Sequence, residues 1–245
     1  MSILLVTGTD TGVGKTLVTA AIAAGLTATG HAVDVAKPIE TGCRSGPDGL
    51  DPSDAVTLRA ACGSPASLDV ICPYRFPDPL APSIAAERAG TLIDLQRLVT
   101  LLRARGAVPL LLVEGAGGLL VPITPRCTFA DLATTLAAPI LLVVGSRLGA
   151  INHALLTLEV LQSRGLGIRG YVINRLAGPG DVAADTNAAA LAAATTAPCL
   201  GELPWLADAD ELLAGLRGHA DGVASARARL ATLARDHVDL ARLRG

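Results

Sequence analysis

The chain alternates short apolar runs with longer segments whose apolar positions are spaced for helices. The runs hold four to six residues, and polar or glycine-rich stretches follow them, as is typical of strands buried in a sheet. The predicted strands are residues 3–6, 32–36, 108–113, 140–144, 168–173 and 200–203. The predicted helices are residues 16–29, 54–61, 83–88, 92–105, 128–137, 149–163, 182–197 and 221–243.

This repeated strand–helix order predicts an α/β fold with a doubly wound, mostly parallel sheet and helices on both faces. Residues 38–52 and 63–82 are rich in glycine or proline, and we predict irregular connections there. The apolar pattern resumes after both segments, and no internal repeat is present. We therefore predict a single domain over residues 1–245.

The first predicted strand leads into a glycine-rich loop, Gly8 to Gly14, and then into Lys15 and Thr16 at the start of a helix. Backbone N–H groups at such a helix N-terminus bind phosphate oxygens, the lysine serves the β- and γ-phosphates, and the threonine hydroxyl can ligate Mg²⁺. The common pattern has glycine where this chain has Thr9, so this loop is one residue longer. The alternative is a tight strand-to-helix turn that merely needs glycines, but such a turn would not require Gly-Lys-Thr at this junction. The loop predicts a P-loop NTPase-like, ATP-binding protein.

Lysine is scarce in this chain. The chain has two lysines, Lys15 and Lys37, and 18 arginines. Because a planar guanidinium does not replace a compact ammonium in every site, a lysine retained in an arginine-rich chain indicates function. Lys37 follows the second predicted strand, at the edge where open parallel sheets bind ligands. We expect it in the P-loop site, and a chance surface lysine is the alternative.

Two acidic residues are candidate metal ligands. Glu114 ends a strongly apolar strand and precedes the glycine-rich residues 115–118, which suits Mg²⁺ and a close approach to phosphate. A strand-end acid before an ordinary turn is the alternative. Ser53 is the predicted cap of a helix that has Asp54 in its first turn. Asp54 is either a metal ligand or an acid favoured by the helix dipole, and its position alone does not separate the two.

Three later positions carry further candidates. The helix that begins at residues 149–153 follows a buried strand, and its N-terminus can bind a carboxylate. His153 within it fits an ordinary helix residue better than a catalyst. The amide of Asn174 either pairs with an adenine edge or caps a helix. Trp205 is the single tryptophan, and it lies against either a purine or the core.

Composition narrows the class of protein. Apolar residues make up 51% of the chain and aromatic residues 2%, which predicts a large aliphatic core. The net charge of −2 and a pI near 6.1 argue against nucleic-acid binding. Five scattered cysteines without a CxxC pair indicate reduced thiols in a cytoplasmic protein. We expect no membrane span and no signal peptide, because apolar runs stay below about 18 residues and no basic segment precedes one.

Five motifs, taken together and in order, resemble those of the dethiobiotin synthetase family. The resemblance runs from residue 3 to about residue 211, and the longer P-loop is part of it. The motifs are Gly-Thr-Asp-Thr-Gly-Val-Gly-Lys-Thr (8–16), Lys-Pro-Ile-Glu-Thr-Gly (37–42), Val-Glu-Gly-Ala-Gly-Gly (113–118), Leu-Gly-Ala-Ile-Asn-His (148–153) and Gly-Glu-Leu-Pro-Trp-Leu (201–206).

The resemblance implies an ATP- and Mg²⁺-dependent ligase. CO₂ adds to one amine of 7,8-diaminononanoate, and the resulting carbamate takes the γ-phosphoryl group of ATP to form a carbamic-phosphoric anhydride. The second amine then closes the ureido ring and expels phosphate, which leaves dethiobiotin and ADP. This chemistry needs neutralised anionic oxygens and a carbamate aligned with the γ-phosphate.

The resemblance also implies roles for individual residues. Lys37, Lys15 and Thr11 would be catalytic, and Mg²⁺ would be held by Thr16, Asp54 and Glu114. The nucleotide would contact Asp10, Thr11, Gly12, Val13, Gly14, Lys15, Thr16, Leu17, Asp54, Glu114, Gly115, Ala116, Gly117, Asn174, Arg175, Pro204, Trp205, Leu206 and Glu211. The diamine would contact Thr41 and Gly118. Its carboxylate would lie at Leu148, Gly149, Ala150, Ile151 and Asn152 of a second copy, in a homodimer with sites across the interface.

Some positions depart from the family, and two other protein classes share parts of the pattern. Gly12 stands where the family often has glutamate, and Thr186 and Asn187 lie near the place of an aromatic substrate contact. A nucleotide-switch ATPase of the partitioning or cell-division type usually has an additional lysine in the P-loop, but residues 8–14 contain none. An amidoligase of corrinoid synthesis would need room for a glutaminase domain. The ligase remains the preferred interpretation.

Overall fold

The computed structural model describes residues 2–46, 49–105 and 108–243. Its strands are β1 (Ser2–Gly8), β2 (Val33–Ala36), β3 (Ile39–Thr41), β4 (Arg44–Gly46), β5 (Gly49–Asp51), β6 (Tyr74–Phe76), β7 (Leu110–Gly118), β8 (Pro122–Thr124), β9 (Cys127–Thr128), β10 (Ile140–Ser146), β11 (Ile168–Arg175) and β12 (Cys199–Leu203). The single domain predicted over residues 1–245 stays a prediction, and positions 1, 47, 48, 106, 107, 244 and 245 lie outside the described residues.

The helices connect these strands and cover both faces of the main sheet. They are α1 (Lys15–Ala28), α2 (Ser53–Cys62), α3 (Leu68–Ile71), α4 (Pro82–Arg88), α5 (Leu95–Arg103), α6 (Phe129–Leu136), α7 (Ala150–Ser163), α8 (Val182–Ala194), α9 (Ala209–Gly215) and α10 (Ala220–His237), followed by a 3₁₀ turn at Leu240–Leu243.

Six strands form one parallel sheet in the order β12-β11-β10-β1-β7-β2. The first strand, β1, therefore lies in the middle and pairs with β10 and β7. Chain order reverses on either side of β1, and such a reversal places a ligand crevice at the carboxyl ends of the strands. The predicted doubly wound sheet is confirmed.

Both faces of the sheet are packed with aliphatic side chains. On one face, Leu4 and Val6 of β1 belong to a core with α1, α2, α9 and α10, and on the other face Leu5 packs with α5 and α6. Because successive side chains of a strand point to opposite faces, a strand covered on both sides needs the continuous apolar runs seen in the sequence. The P-loop helix α1 is itself sandwiched between the sheet and α10, and a Cβ added at Gly25 would lie 2.9 Å from the Ala234 Cβ.

Two segments predicted to be irregular contain regular structure. Residues 38–52 include β3, β4 and β5, and residues 63–82 include α3 and β6. Strand β3 pairs with β6, and β4 pairs with β5. Three-residue strands show no periodicity, and the partners β3 and β6 are far apart along the chain, so the pattern of the sequence does not reveal them.

Several predicted boundaries were wrong for local reasons. Helix α5 begins at Leu95, not at residue 92, because Asp94 caps it by accepting a hydrogen bond from the Arg97 N–H at 3.0 Å. Helix α9 was not predicted. The predicted final helix ends at His237 because Val238 is extended and pairs with Gly201 of β12.

No helix within the described residues is long and apolar enough to cross a membrane. The longest of them, α10, carries charged residues along its length.

Candidate functional site

The P-loop connects the carboxyl end of β1 to the first turn of α1. Gly12 and Gly14 have φ angles of 74° and 85°, which disfavour other residues. Gly14 also has no room for a side chain, because a Cβ there would lie 2.1 Å from the Asn174 amide nitrogen. The Lys15 ammonium donates a hydrogen bond to the Asp10 carbonyl at 3.1 Å across the loop. The loop is therefore held as a ring of backbone around the helix N-terminus.

Lys37 lies directly beside this loop in a buried cluster of charges. Its ammonium is 2.6 Å from Glu114 Oε1 and 2.8 Å from Asp54 Oδ2. The three residues come from the end of β2, the first turn of α2 and the interior of β7. The predicted position of Glu114 at a strand tip was wrong, since β7 continues to Gly118 and leaves Glu114 fully buried.

The oxygen donors of this cluster suit a hard divalent cation. The Thr16 hydroxyl donates to Glu114 Oε1 at 3.0 Å, and Glu114 Oε2 is buried without a hydrogen-bond partner. Carboxylate and hydroxyl oxygens are the ligands that Mg²⁺ prefers, usually together with phosphate oxygens of a substrate. Within the described residues, no group of three or more His, Cys, Asp and Glu side chains would hold an ion by itself. Thr16, Asp54 and Glu114 therefore fit a cation that arrives with a nucleotide.

The charges of the cluster shift one another's pKa values. Burial and the nearby Lys37 ammonium lower the pKa of Lys15 to about 8. Burial also disfavours the charge on Lys37, but the carboxylates of Glu114 and Asp54 raise its pKa above the ordinary lysine value. Burial likewise opposes ionisation of Asp54, yet Lys37 holds the pKa of that carboxyl below its usual range. The site therefore contains a protonated Lys37 between the side chains of Asp54 and Glu114.

Glu40 belongs to this site, although it received no role in the sequence analysis. Its buried carboxylate accepts hydrogen bonds from the N–H groups of Asp54 at 2.9 Å and Ala55 at 3.0 Å. Ser53 was wrongly predicted to be the helix cap: the N-cap residue of α2 is Pro52, and Glu40 supplies the capping oxygens from another strand. Burial, and then the nearby Asp54 carboxylate, raise the pKa of Glu40 to about 7. The Lys-Pro-Ile-Glu motif contained the only sequence signal for this residue.

A cavity of about 470 Å³ opens over the P-loop and this cluster. It brings together fifteen of the predicted site residues, which are Thr11, Gly12, Gly14, Lys15, Thr16, Leu17, Lys37, Thr41, Asp54, Ala116, Gly117, Asn174, Arg175, Trp205 and Leu206. It is also lined by Glu40, Leu176, Ala209, Asp210 and Leu213, which the sequence did not indicate. Exposed Glu211 was predicted to frame the base, but its neighbour Asp210 lines the cavity instead.

The remaining predicted nucleotide residues lie just behind or beside this cavity. Val13 and Glu114 are buried beneath its wall, and the Gly115 carbonyl oxygen is 3.4 Å from the Lys37 ammonium. Asp10 faces a separate groove on the other side of the P-loop, and Pro204 lies in a neighbouring cleft.

The far end of the cavity carries the candidates for base recognition. Asn174 donates a hydrogen bond from its amide to the Val13 carbonyl at 3.0 Å, and its Oδ1 is buried without a partner. The Asn174 amide nitrogen thus holds the P-loop, and the alternative in which this side chain caps a helix is wrong. Trp205 is 43% exposed and contacts Gly178, so the alternative that placed it in the core is wrong. Arg175 pairs with Glu202 at 2.6 Å at the edge of the neighbouring cleft.

The groove beyond the P-loop has a volume of about 420 Å³ and an apolar rim. Thr11 and Gly118 line it, as do the exposed side chains of Leu120 and Leu156. The predicted carboxylate site at residues 148–152 opens α7 and lines neither this groove nor the 470 Å³ cavity. Within one copy of the chain, this segment therefore lies outside both cavities.

Asn187 has a different role from the aromatic contact that the family resemblance suggested near this position. It is buried, and its amide donates hydrogen bonds to the Ser146 hydroxyl at 3.1 Å and the Arg147 carbonyl at 3.0 Å. Arg147 in turn pairs with Asp10 of the P-loop at 2.6 Å. Asn187 therefore holds the loop between β10 and α7.

Comparison with solved structures identifies the fold. A chain of the MinC:MinD cell division protein complex of Aquifex aeolicus has a TM-score of 0.53 at 15% identity, with 94% of this chain and 95% of that chain covered. A ParA family ATPase of Chlorobium tepidum TLS has a TM-score of 0.54 at 13% identity, with 96% and 97% covered. The predicted P-loop NTPase-like fold class is confirmed, but such low identities carry no support for a nucleotide switch.

Comparison of sequences identifies the family. A family model described as an AAA domain matches residues 2–211. The ATP-dependent dethiobiotin synthetase BioD of Anaeromyxobacter dehalogenans strain 2CP-C is 48% identical over 211 residues, which are 84% of this chain and 91% of that protein. The protein of the same name from Marinobacter nauticus is 42% identical over 210 residues, covering 84% and 88%. The resemblance found in the motifs is confirmed, and the chain belongs to the ATP-dependent dethiobiotin synthetase family.

Proposed function

We propose that this protein makes dethiobiotin from 7,8-diaminononanoate and CO₂ with ATP and Mg²⁺. The observation that carries the proposal is Lys37, a buried ammonium held by Asp54 and Glu114 beside the P-loop residues Lys15 and Thr16. A reaction that passes a phosphoryl group to a carbamate collects anionic oxygens at one point. This cavity brings the ammonium groups of Lys15 and Lys37 and the backbone N–H groups of the P-loop to such a point.

The P-loop and Lys15 would hold the β- and γ-phosphates of ATP. Burial and Lys37 lower the pKa of Lys15, and phosphate oxygens nearby would favour its charged form. Thr16, Asp54 and Glu114 would hold Mg²⁺, which would neutralise charge on the phosphates. Trp205 and Leu206 would lie against the base, with Asn174 Oδ1 as the acceptor still open in that wall.

Lys37 would stabilise the carbamate and the transferring phosphoryl group. Since neighbouring carboxylates raise its pKa, it keeps its proton at neutral pH and serves as an electrostatic donor, not as a base. Such pre-organised donors cost no reorganisation when charge develops in the transition state. The second amine then attacks the carbonyl carbon of the anhydride and forms the C–N bond that closes the ring. The C–O bond to phosphate breaks, and inorganic phosphate leaves with the proton that the amine loses.

The diamine would enter from the groove on the other side of the P-loop. Thr11 and Gly118 line that groove, Thr11 also lines the nucleotide cavity, and Thr41 would orient the amine end. The N-terminus of α7 in a second copy would receive the substrate carboxylate. The apolar rim at Leu120 and Leu156 supports a homodimer with its sites across the interface.

Phosphate release with ATP, Mg²⁺ and bicarbonate tests the proposal when it is measured with and without 7,8-diaminononanoate. We expect release to depend on the diamine and the cyclic product to appear by mass spectrometry. A monoamine, 8-aminononanoate, is the matched control, because it has no second nucleophile and gives no ring. Phosphate release that ignores the diamine would contradict the proposal.

A further inference from the structure

Glu40 is a buried carboxylate that connects two elements of the site. It lies in β3, three residues after Lys37, and its side chain reaches the first turn of α2. Its two oxygens are shared between neighbouring N–H groups: Oε1 accepts from Asp54 and Oε2 from Ala55. The segment that carries Lys37 is thus joined to the residue with which Lys37 forms an ion pair.

This arrangement leaves the backbone of Asp54 little freedom. Pro52 at the N-cap has no side-chain oxygen to offer the helix, so the capping oxygens of α2 come from Glu40. The Asp54 N–H is fixed at 2.9 Å from Glu40, and the Asp54 carboxylate is fixed at 2.8 Å from Lys37. The direction in which this carboxylate enters the cavity therefore depends on Glu40.

Helix capping alone does not account for a buried carboxylate at this place. Glu40 is 4% exposed and lies beside another carboxylate, and both burial and like-charge repulsion are unfavourable. A serine, threonine or asparagine at position 52 would cap α2 as well without placing a second charge in the site. Glu40 differs from such a one-oxygen cap because its two oxygens accept from two successive N–H groups and so fix the backbone of Asp54.

We propose that Glu40 is a positioning residue that sets the Asp54 carboxylate for the divalent cation accompanying the nucleotide. The inference rests on the proposed function, because it assigns Asp54 to that cation. Partners that orient metal ligands commonly contribute about 10–100-fold to metal affinity. In this role Glu40, which also lines the cavity, acts through Asp54.

Calorimetric titration with a non-hydrolysable ATP analogue, in excess Mg²⁺ and in EDTA, tests the inference. The quantity of interest is the dissociation constant in EDTA divided by the dissociation constant in Mg²⁺. This ratio reports how much the cation contributes to binding of the nucleotide. We expect Glu40→Ala to lower this ratio by about tenfold while its affinity in EDTA is unchanged. Glu40→Gln keeps one acceptor oxygen, and its ratio should lie between those of the unaltered protein and Glu40→Ala. Asp94→Ala is the matched control, since it removes a capping carboxylate from α5, outside the site, and should keep the ratio.

A merely structural role would weaken binding equally in Mg²⁺ and in EDTA, and that result would overturn the inference. So would a wild-type ratio in a folded Glu40 variant, or a ratio of one in the unaltered protein. If Glu40→Ala does not fold, Glu40→Gln must by itself lower the ratio. The titration uses no diamine, so its failure is distinct from a failure of diamine-dependent phosphate release.

Discussion

At the scale of the residue, the role of Lys37 follows from its neighbours. Its ammonium forms ion pairs with Asp54 and Glu114, and its side chain is almost completely buried. A guanidinium is larger and planar and presents its donors in a fixed fork, so it does not fit the space of an ammonium between these two carboxylates. Charge alone is therefore not what this position requires.

We predict that Lys37→Arg lowers kcat by about 10²–10³-fold, the usual cost of losing a pre-organised donor to the transition state. Nucleotide binding should be mostly retained, because the P-loop and Lys15 are unchanged. Steady-state kinetics and a titration with ADP would measure the two effects. Lys15→Arg is the contrasting variant, and it should lose nucleotide affinity as well. Near-normal turnover of Lys37→Arg would show that the scarcity of lysine had no functional cause.

At the scale of the element, α8 and the loop after β10 depend on one side chain. Asn187 of α8 donates hydrogen bonds to Ser146 and to the Arg147 carbonyl, and that loop leads directly into the N-terminus of α7. If the N-terminus of α7 receives the substrate carboxylate, Asn187 supports its position without touching the substrate. An unpaired buried carbonyl left by its removal would cost about 1–3 kcal/mol.

We predict that Asn187→Leu raises KM for 7,8-diaminononanoate about tenfold, which corresponds to about 1.4 kcal/mol. The KM for ATP should not change, nor should turnover of a vicinal diamine that lacks the carboxylate. The matched control is Thr186→Val on the same helix, because among the described residues the Thr186 hydroxyl donates only to carbonyl oxygens of its own helix. An equal effect of Asn187→Leu on both diamines would argue against the role of the α7 N-terminus.

At the scale of the whole molecule, the order of the sheet assembles the site. The neighbours β1, β7 and β2 contribute the P-loop, Glu114 and Lys37, which are distant in sequence. The same edge leaves an apolar groove open to solvent, with Leu120 45% and Leu156 59% exposed. Exposed apolar patches beside a functional site commonly mark an interface, in agreement with the proposed homodimer.

We predict that Leu156→Glu converts the proposed homodimer to a monomer, as measured by sedimentation velocity. It should abolish diamine-dependent phosphate release but leave nucleotide binding intact, because Leu156 lines the groove on the other side of the P-loop and does not line the 470 Å³ cavity. Leu92→Glu is the matched control, since Leu92 is 92% exposed but lies outside the groove. A Leu156→Glu variant that stays dimeric, or a monomer that remains fully active, would contradict the shared site.

The sequence by itself determined the features that arise from contiguous residues. Mostly apolar runs predicted the strands of the main sheet, because a strand covered by helices on both faces has no polar side. The glycines and Gly-Lys-Thr of the P-loop predicted its position, because one short segment supplies both the turn and the phosphate donors. The family followed from ordered motifs, and the scarcity of lysine indicated Lys37.

Tertiary structure alone decided what depends on contacts between distant segments. In the folded chain, Glu40 caps α2, a role that the sequence had assigned to Ser53. The Asn174 amide donates a hydrogen bond to the Val13 carbonyl. Asp210 lines the cavity, where the sequence had predicted Glu211. Tertiary structure also formed the short strands β3 and β6 by pairing each with the other. A hydrogen bond between residues far apart in sequence leaves no periodic trace in either segment, so these assignments required the folded chain.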